Sequence, residues 1–564
     1  MSHLSLLLNC TTRQDLSKLL GIELKHLTYL IYGLSDSEKY SKFSIPKKTG
    51  GTRSITSPID EIKDLQKKLS TLLQSCLQEI ENRSKKKSPS HGFKKDCSII
   101  SNAKSHTRKR YVINLDLENF FTAFNFGRVR GFFLVNEHFK LSKEVATTIA
   151  QIACFQGHLP QGAPCSPVIT NLICNILDVR LSKLAKLNKC KYSRYADDLT
   201  FSSRSKTISK ELVICDGHNW KVTGKLKKEI SRAGFKINLQ KTRVQYKNSR
   251  QDVTGLVVNE KLSIPSKYWR VVRAMVNNLL SSGYFTVSKK VITKGVVQEV
   301  ESKGKIKQLN GMLSYIDSVD LHNSQKSNEF RDLNQREKTY RNFLYFTKFY
   351  CNTKPIIICE GKTDHVYLKS ALKSLNEQYP NLIEKTEDGL QSKVAFYKYS
   401  DLEIRLLGIT GGSDLLRAFI SNYPKIIKKF KAKPSKQPVI ILIDNDRGAR
   451  EIYSQIKSIT QSKSSIDGSQ DFYKLYDNFY VIATPCKQGK MSRIEDFFPK
   501  TLLKREYNKK KFEPDEKKFD KSKHYSKAIF ADKIVAPNYK VIDFSSFTKI
   551  FYRIELAIKD SATL

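Results

Sequence analysis

Apolar and polar positions change period several times along the chain. Residues 1–40 carry apolar positions at helical spacing, with Leu6, Leu7, Leu19, Leu20 and Leu24 expected in the core. Residues 43–55 alternate around Gly50-Gly51, which predicts a hairpin with a basic tip of Lys47, Lys48 and Arg53. Residues 61–81 repeat Ile62, Leu65, Leu69, Leu72 and Leu73 on one helical face. From Tyr111 the period drops to two. Ile113, Leu115 and Leu117 share one face of a strand, and Asn114 and Asp116 share the other. A second β-hairpin is expected over 192–203, with Asp197 and Asp198 at or near its turn. An apolar helix is expected from Val168 to Leu177, entered through Leu159-Pro160-Gln161-Gly162-Ala163-Pro164.

After a charged helix over 328–349 the pattern changes again. Residues 355–359 and 439–443 are unbroken apolar runs, as in parallel strands buried on both faces. Residues 406–410 and 479–483 complete four expected strands, with helices between them. One helix is expected over 365–375, and another to be capped by Ser413. The expected divisions are 1–262, 263–325 (helical), 326–353 (connecting helix or linker), 354–500 and a Lys-rich extension over 501–564.

Composition narrows the partner. The chain has 564 residues, with 99 Lys plus Arg against 55 Asp plus Glu, a formal charge of +44. Such a surplus calls for a polyanion, nucleic acid first. No apolar run nears the length of a spanning helix, so no membrane partner is expected. The eleven cysteines include no Cys-x-x-Cys pair, which argues against a zinc ribbon and fits a reducing, cytoplasmic setting.

The chemistry lies in the carboxylates. Asp116 and the Asp197-Asp198 pair can converge from two strands, and crowded carboxylates call for a divalent cation. All-oxygen donors favour Mg²⁺. Lys241 is a candidate proton donor to a departing pyrophosphate. In the second half, Glu360, Asp444 and Asp446 follow the carboxyl ends of strands, where such sheets bind ligands.

These motifs resemble a known family. Asp116 with Phe120-Phe121, the Leu159-Pro160-Gln161-Gly162 loop, Tyr195-Ala196-Asp197-Asp198 and Gly234-Phe235-x-Ile237-Asn238 follow the order of the reverse transcriptase palm. More narrowly they resemble bacterial retron reverse transcriptases. Asn102-Ala103-x-x-His106 and Val253-Thr254-Gly255 match two retron marks. The resemblance implies an α+β right-hand polymerase with fingers and palm over 1–262 and a helical thumb over 263–325. It implies copying of a cognate structured non-coding RNA from dNTPs. Priming from a guanosine 2′-hydroxyl would give a branched, RNA-linked single-stranded DNA. By position it makes Asp116, Asp197 and Asp198 the catalytic ligands of two Mg²⁺ ions. Lys47 and Arg53 would hold the triphosphate, Phe121 would be the steric gate, and Gln161 and Gly162 would line the nascent pair. Asn102, His106, Val253, Thr254 and Gly255 would contact RNA.

Residues 354–500 resemble TOPRIM domains, α/β folds with a mainly parallel sheet, through Glu360-Gly361-x-x-Asp364 and Asp444-x-Asp446. That implies a catalytic Glu360, Mg²⁺ or Mn²⁺ on Asp444 and Asp446, and a further acidic element at Glu495. The fusion resembles a retron carrying its own nuclease effector for defence against bacteriophage. Other readings are a group II intron-like reverse transcriptase, or a nucleic-acid scaffold with a non-cleaving TOPRIM domain. A homo-oligomer is a further expectation.

Overall fold

The computed structural model describes residues 2–47, 51–84, 88–216, 219–293, 296–324, 332–486, 491–515 and 518–563. Lys48, Gly50, Lys85, Lys86, Lys87, Lys517 and the start of the expected connecting helix at 328–331 lie outside these. Two compact units emerge. The first comprises Met1–Trp269, Ser288–Ser302 and Ser318–Gln325, and the second Arg270–Val287, Lys303–Asp317 and Lys326–Leu564.

In the first unit, short helices at His3–Leu8, Arg13–Leu19 and Leu24–Thr28 precede a hairpin of β1 (Tyr40–Pro46) and β2 (Thr52–Pro58). The hairpin is in register with Phe43 opposite Ile55 and Ile45 opposite Arg53. Leu7 and Leu20 are core, but Leu24 is exposed, because it opens its helix on the solvent side. The amphipathic helix Asp60–Ser84 buries Ile62, Leu65, Leu69, Leu72 and Leu73 as its spacing predicts. Each such side chain contributes about 1.5–3 kcal/mol.

The central sheet contains β3 (Tyr111–Leu117), β4 (Lys191–Tyr195), β5 (Asp198–Ser203) and β8 (Ile237–Tyr246). Its order is β4-β5-β3-β8. The hairpin β6 (Val213–Asp216) and β7 (Asn219–Val222) lies between. Helix Ser166–Leu187 packs on β4 and runs well past the expected Leu177, because Leu181 and Leu184 extend its buried stripe. Past the sheet, β9 (Asp252–Val253) and β10 (Leu256–Val257) form a tight hairpin. The expected helical region 263–325 is not wholly helical. Helices Ser266–Ser282 and Ile306–Asn323 flank a hairpin of β11 (Thr286–Thr293) and β12 (Val296–Lys303), whose residues are largely β-branched or charged.

In the second unit, helix Gln335–Tyr345 leads to β13 (Ile356–Cys359), and a small hairpin of β14 (Ile383–Thr386) and β15 (Gly389–Ser392) follows. The main sheet adds β16 (Ala395–Phe396), β17 (Val439–Ile443), β18 (Tyr473–Tyr476) and β19 (Phe479–Ala483), in the order β16-β13-β17-β19-β18. All pairings are parallel except β18 with β19. The strand expected at 406–410 is absent. Leu406 and Leu407 end helix Asp401–Leu407, which Gly408 terminates in the left-handed region at φ 71°. Ser413 lies inside its helix, and Gly412 is the N-cap. The Lys-rich extension also differs from expectation. Phe530, Ile534, Phe547, Ile550, Phe551 and Ile554 are buried in one cluster with Ile357 and Tyr480, so 501–563 completes the second unit's core.

Candidate active sites

β3 and β5 are antiparallel, with Asp116 directly opposite Asp198. Asp197 sits in the turn between β4 and β5, and its carbonyl accepts from Leu117 N at 3.1 Å. The three carboxylates therefore share one end of the sheet. The β3–β8 register shifts between Asn114 and Asp116, whose partners are Arg243 and Asn238. That bulge brings Lys241 across, and its Nζ donates to both Asp116 oxygens at 3.0 and 2.9 Å.

Crowding shows in the titration. Desolvation first, then the Asp197 and Asp116 charges, push Asp198 up to about 6. Asp197 is raised by desolvation and by Asp116, with Lys241 and Arg53 opposing. Behind the turn lies a buried ion pair. Arg194, with no exposed surface, donates Nε and Nη2 to Asp178 at 2.8 and 2.7 Å and Nη1 to Ala196 O at 3.3 Å. Removing one partner of such a pair typically costs about 3–5 kcal/mol.

The neighbouring loop is held by backbone. Gln161 O accepts from Thr56 N of β2 at 3.0 Å. Gly162 has φ +130°, and a Cβ there would lie 2.7 Å from Thr56 O, so only glycine fits. Lys47 and Arg53 are exposed on the hairpin, and the Arg53 charge reaches Asp197. Phe121 begins a 3-10 turn after β3 and is half-buried.

The two retron marks lie elsewhere. Asn102 and His106 have no exposed surface. Ser193 Oγ donates to Asn102 Oδ1 at 2.6 Å, so His106 Nε2–H donates to Ser193 at 2.6 Å and Nδ1 accepts from Ser202 at 2.7 Å. Burial holds the imidazole neutral, its pKa lowered to about 3. Val253 is buried too. Direct RNA contact is thus closed to these three side chains as placed, because all three are fully buried. Thr254 and Gly255 remain at the surface of the β9–β10 turn, with φ 48° and 83° and with Thr254 Oγ1 donating to Ile99 O at 3.2 Å.

In the second unit Glu360 follows β13, and Asp444 follows β17 on the adjacent parallel strand. Glu360 Oε2 accepts from Asp444 N at 3.1 Å, and Asp444 Oδ1 from Ile494 N at 2.9 Å. Gly411 and Gly412 close on Glu360. Gly412 N donates to Glu360 O at 3.1 Å, and a Cβ on Gly411 would lie 2.6 Å from that same oxygen. Asp446 takes Arg493 Nε at 3.1 Å. Glu495, 3% exposed, faces Lys527 Nζ at 2.7 Å.

Asp364 stands in the Glu360-Gly361-x-x-Asp364 pattern without a role that the pattern itself assigns. Its Oδ2 accepts from Gly361 N at 2.7 Å, and its buried Oδ1 has no hydrogen-bond partner. Desolvation, then Glu495, lift it to about 7. Asp444 is raised strongly by desolvation and by Asp364, Glu495 and Glu360. The available signal was the spacing Glu360-Gly361-x-x-Asp364, one helical turn past the strand. Lys527 lies far along the chain and had no such signal.

Both donor sets are all oxygen and carry excess like charge, which fits a hard divalent cation. Among the described residues no three Asp, Glu, His or Cys side chains are already drawn into an ion cage.

Residues 45–258, within the first unit, match the family model described as reverse transcriptase (RNA-dependent DNA polymerase). The chain is similar to Retron Ec86 reverse transcriptase of Escherichia coli, 31% identical over 310 residues, covering 54% of this chain and 84% of that protein. It is similar to Retron Mx162 reverse transcriptase of Myxococcus xanthus, 32% identical over 288 residues, covering 47% of this chain and 58% of that protein. A solved apo telomerase from Candida tropicalis, truncated from the C-terminal domain, matches at 14% identity and TM-score 0.29. That match covers 41% of this chain and 56% of the other, and the likeness is too low to bear on the fold.

Proposed function

The chain belongs to the retron reverse transcriptase family, an RNA-directed DNA polymerase, and from that premise we propose that Asp116, Asp197 and Asp198 are its catalytic carboxylates. The observation that carries this is the pairing of Asp116 with Asp198 across β3 and β5, with Asp197 in the adjoining turn. Mg²⁺ on these three would supply charge neutralisation at the attacking hydroxyl and at the departing pyrophosphate. Lys241 holds Asp116 between turnovers, a contact that supports its reading as the proton donor to that pyrophosphate. Arg53 and Lys47 grip the triphosphate, while Gln161 and Gly162 fix the hairpin that carries them. Phe121 excludes a ribose 2′-hydroxyl. The template is a cognate structured RNA, primed from a guanosine 2′-hydroxyl, and the product is branched RNA-linked DNA. Thr254 and Gly255 contact that RNA. The test is primer extension by Asp197→Asn. DNA synthesis is lost while RNA binding persists, and normal incorporation by this variant would reject the assignment.

For the second unit we propose a TOPRIM nuclease that acts as an effector against bacteriophage. Glu360, Asp364 and Asp444 carry the metal-dependent site, with Asp446 and Glu495 at its edge. The support is the meeting of Glu360 and Asp444 at the carboxyl ends of neighbouring parallel strands, with Asp364 crowded against Glu495. A second reading, binding without cleavage, draws on the ion pairs that neutralise Asp446 and Glu495. Mg²⁺-dependent nicking of DNA by the parent chain and by Asp444→Ala separates the two.

A further inference from the structure

Phe93 is an exposed aromatic residue in a backbone conformation that aromatic residues avoid. Its φ is 57°, and 43% of its surface is open. A bulky residue there is strained, and its partial burial offsets that strain only in part. Glycine would satisfy this backbone without cost. The ring itself must therefore matter.

Its surroundings say where. Pro89–Gly92 is stitched along β4. Arg194 N donates to Pro89 O at 3.0 Å, and His91 N to Arg194 O at 2.8 Å. Asn171, which also accepts from Ser90 Oγ at 2.9 Å, donates Nδ2 to Gly92 O at 2.8 Å. Gly92 then lies flat on the Tyr195–Asp198 turn, and a Cβ there would stand 2.5 Å from Ala196 N. The next residue, Phe93, stands with its ring centroid 6.5 Å from that of Phe121. Phe121 in turn packs edge-on against buried Phe120, with centroids 5.4 Å apart. Three rings thus run outward from the core, and Phe93 is the most exposed of them.

We propose that Phe93 is a specificity-determining wall of the nucleotide pocket, its ring contacting the sugar of the incoming deoxynucleotide beside Phe121. This rests on the reading of Phe121 as the sugar gate. The Arg194–Asp178 pair and Gly92 hold the strained backbone against the catalytic turn, and the ring adds its contact with Phe121.

The test uses the full chain on an RNA template with a DNA primer, measuring steady-state kinetics for each dNTP and rNTP. Phe93→Gly removes the ring and relaxes the backbone. The expected result is a dNTP KM raised about tenfold with kcat within about twofold, the loss typical of one aromatic contact to a nucleotide. The melting midpoint is expected to be unchanged or higher. Phe93→Leu recovers most of the KM. A KM equal to the parent's overturns the proposal. So does a raised KM accompanied by a lowered melting midpoint, since the ring would then be mere packing. Phe121→Val, run in parallel, separates the two readings. Unchanged ribonucleotide exclusion there rejects the gate at Phe121, while the Phe93 proposal is judged on its own KM.

Discussion

Lys241 Nζ spans both carboxylate oxygens of Asp116, at 3.0 and 2.9 Å. A cation already occupies the carboxylate proposed for a metal ion, and Lys241 is itself half-exposed. Lys241→Met removes that competitor. Half-maximal activity is expected at a Mg²⁺ concentration a few-fold lower. The maximal rate should also fall, by about 10²-fold, if the ammonium serves as proton donor to pyrophosphate. Titrating activity against Mg²⁺ reads both. An unchanged half-saturation point would mean that the contact is incidental.

Gly162 meets the β1–β2 hairpin at Thr56 and Ile55 with no room for a Cβ. Gly162→Ala puts a Cβ against Thr56 O at φ +130°, with an expected cost of about 1–3 kcal/mol. Because Arg53 rides on that hairpin, the KM for dNTP is expected to rise more than kcat falls. Denaturation and kinetics on the same preparation check this. A variant as stable as the parent would show that the loop has room to yield.

Much of the polymerase half was legible because chemistry and pattern coincide there. The alternation over 111–117 put Asp116 on the open face, and Ala196 at φ 56° supplies the tight turn that presents Asp197. What failed were residues whose type suggests one role and whose burial imposes another. Asn102 and His106 read as polar surface, but they close a hydrogen-bond network behind β4 and β5. Leu406 and Leu407 read as a strand because a short apolar run cannot reveal its period. Residues 501–563 were dominated by their lysines, which hid the apolar positions from Phe530 to Ala557 that enter the core. Lys527 depends on tertiary placement alone.

His106 makes stability fall in acid. Its folded pKa, about 3, lies below the unfolded value of 6.5. Between these values the unfolded chain binds the extra proton. The stabilisation is therefore complete above about 6.5 and is lost as pH falls toward 3, on the order of a few kcal/mol. Urea midpoints of the parent and of His106→Gln, compared at pH 7.5 and 5, check this. The variant starts less stable and shows a flatter pH dependence. Parallel slopes would place the acid sensitivity elsewhere.

The two acidic sites belong to different compact units, so their losses are expected to separate. Glu360→Ala removes the acceptor for Asp444 N and leaves β3, β5 and Lys241 untouched. DNA synthesis should stay within about twofold of the parent, because the hydrogen-bond partners of Glu360 lie in its own unit. Mg²⁺-dependent DNA cleavage, and any growth inhibition on expression in bacteria, should vanish. Asp364→Asn tests the residue that sequence reasoning passed over. Desolvation and Glu495 push its carboxyl up to about 7, so acid protonates it and the parent's cleavage should fall as pH drops below neutral. The Asn variant should be inactive throughout. Cleavage by Asp364→Asn equal to the parent's would leave Glu360 and Asp444 as the working pair and make Asp364 only a brace for the Gly361 turn.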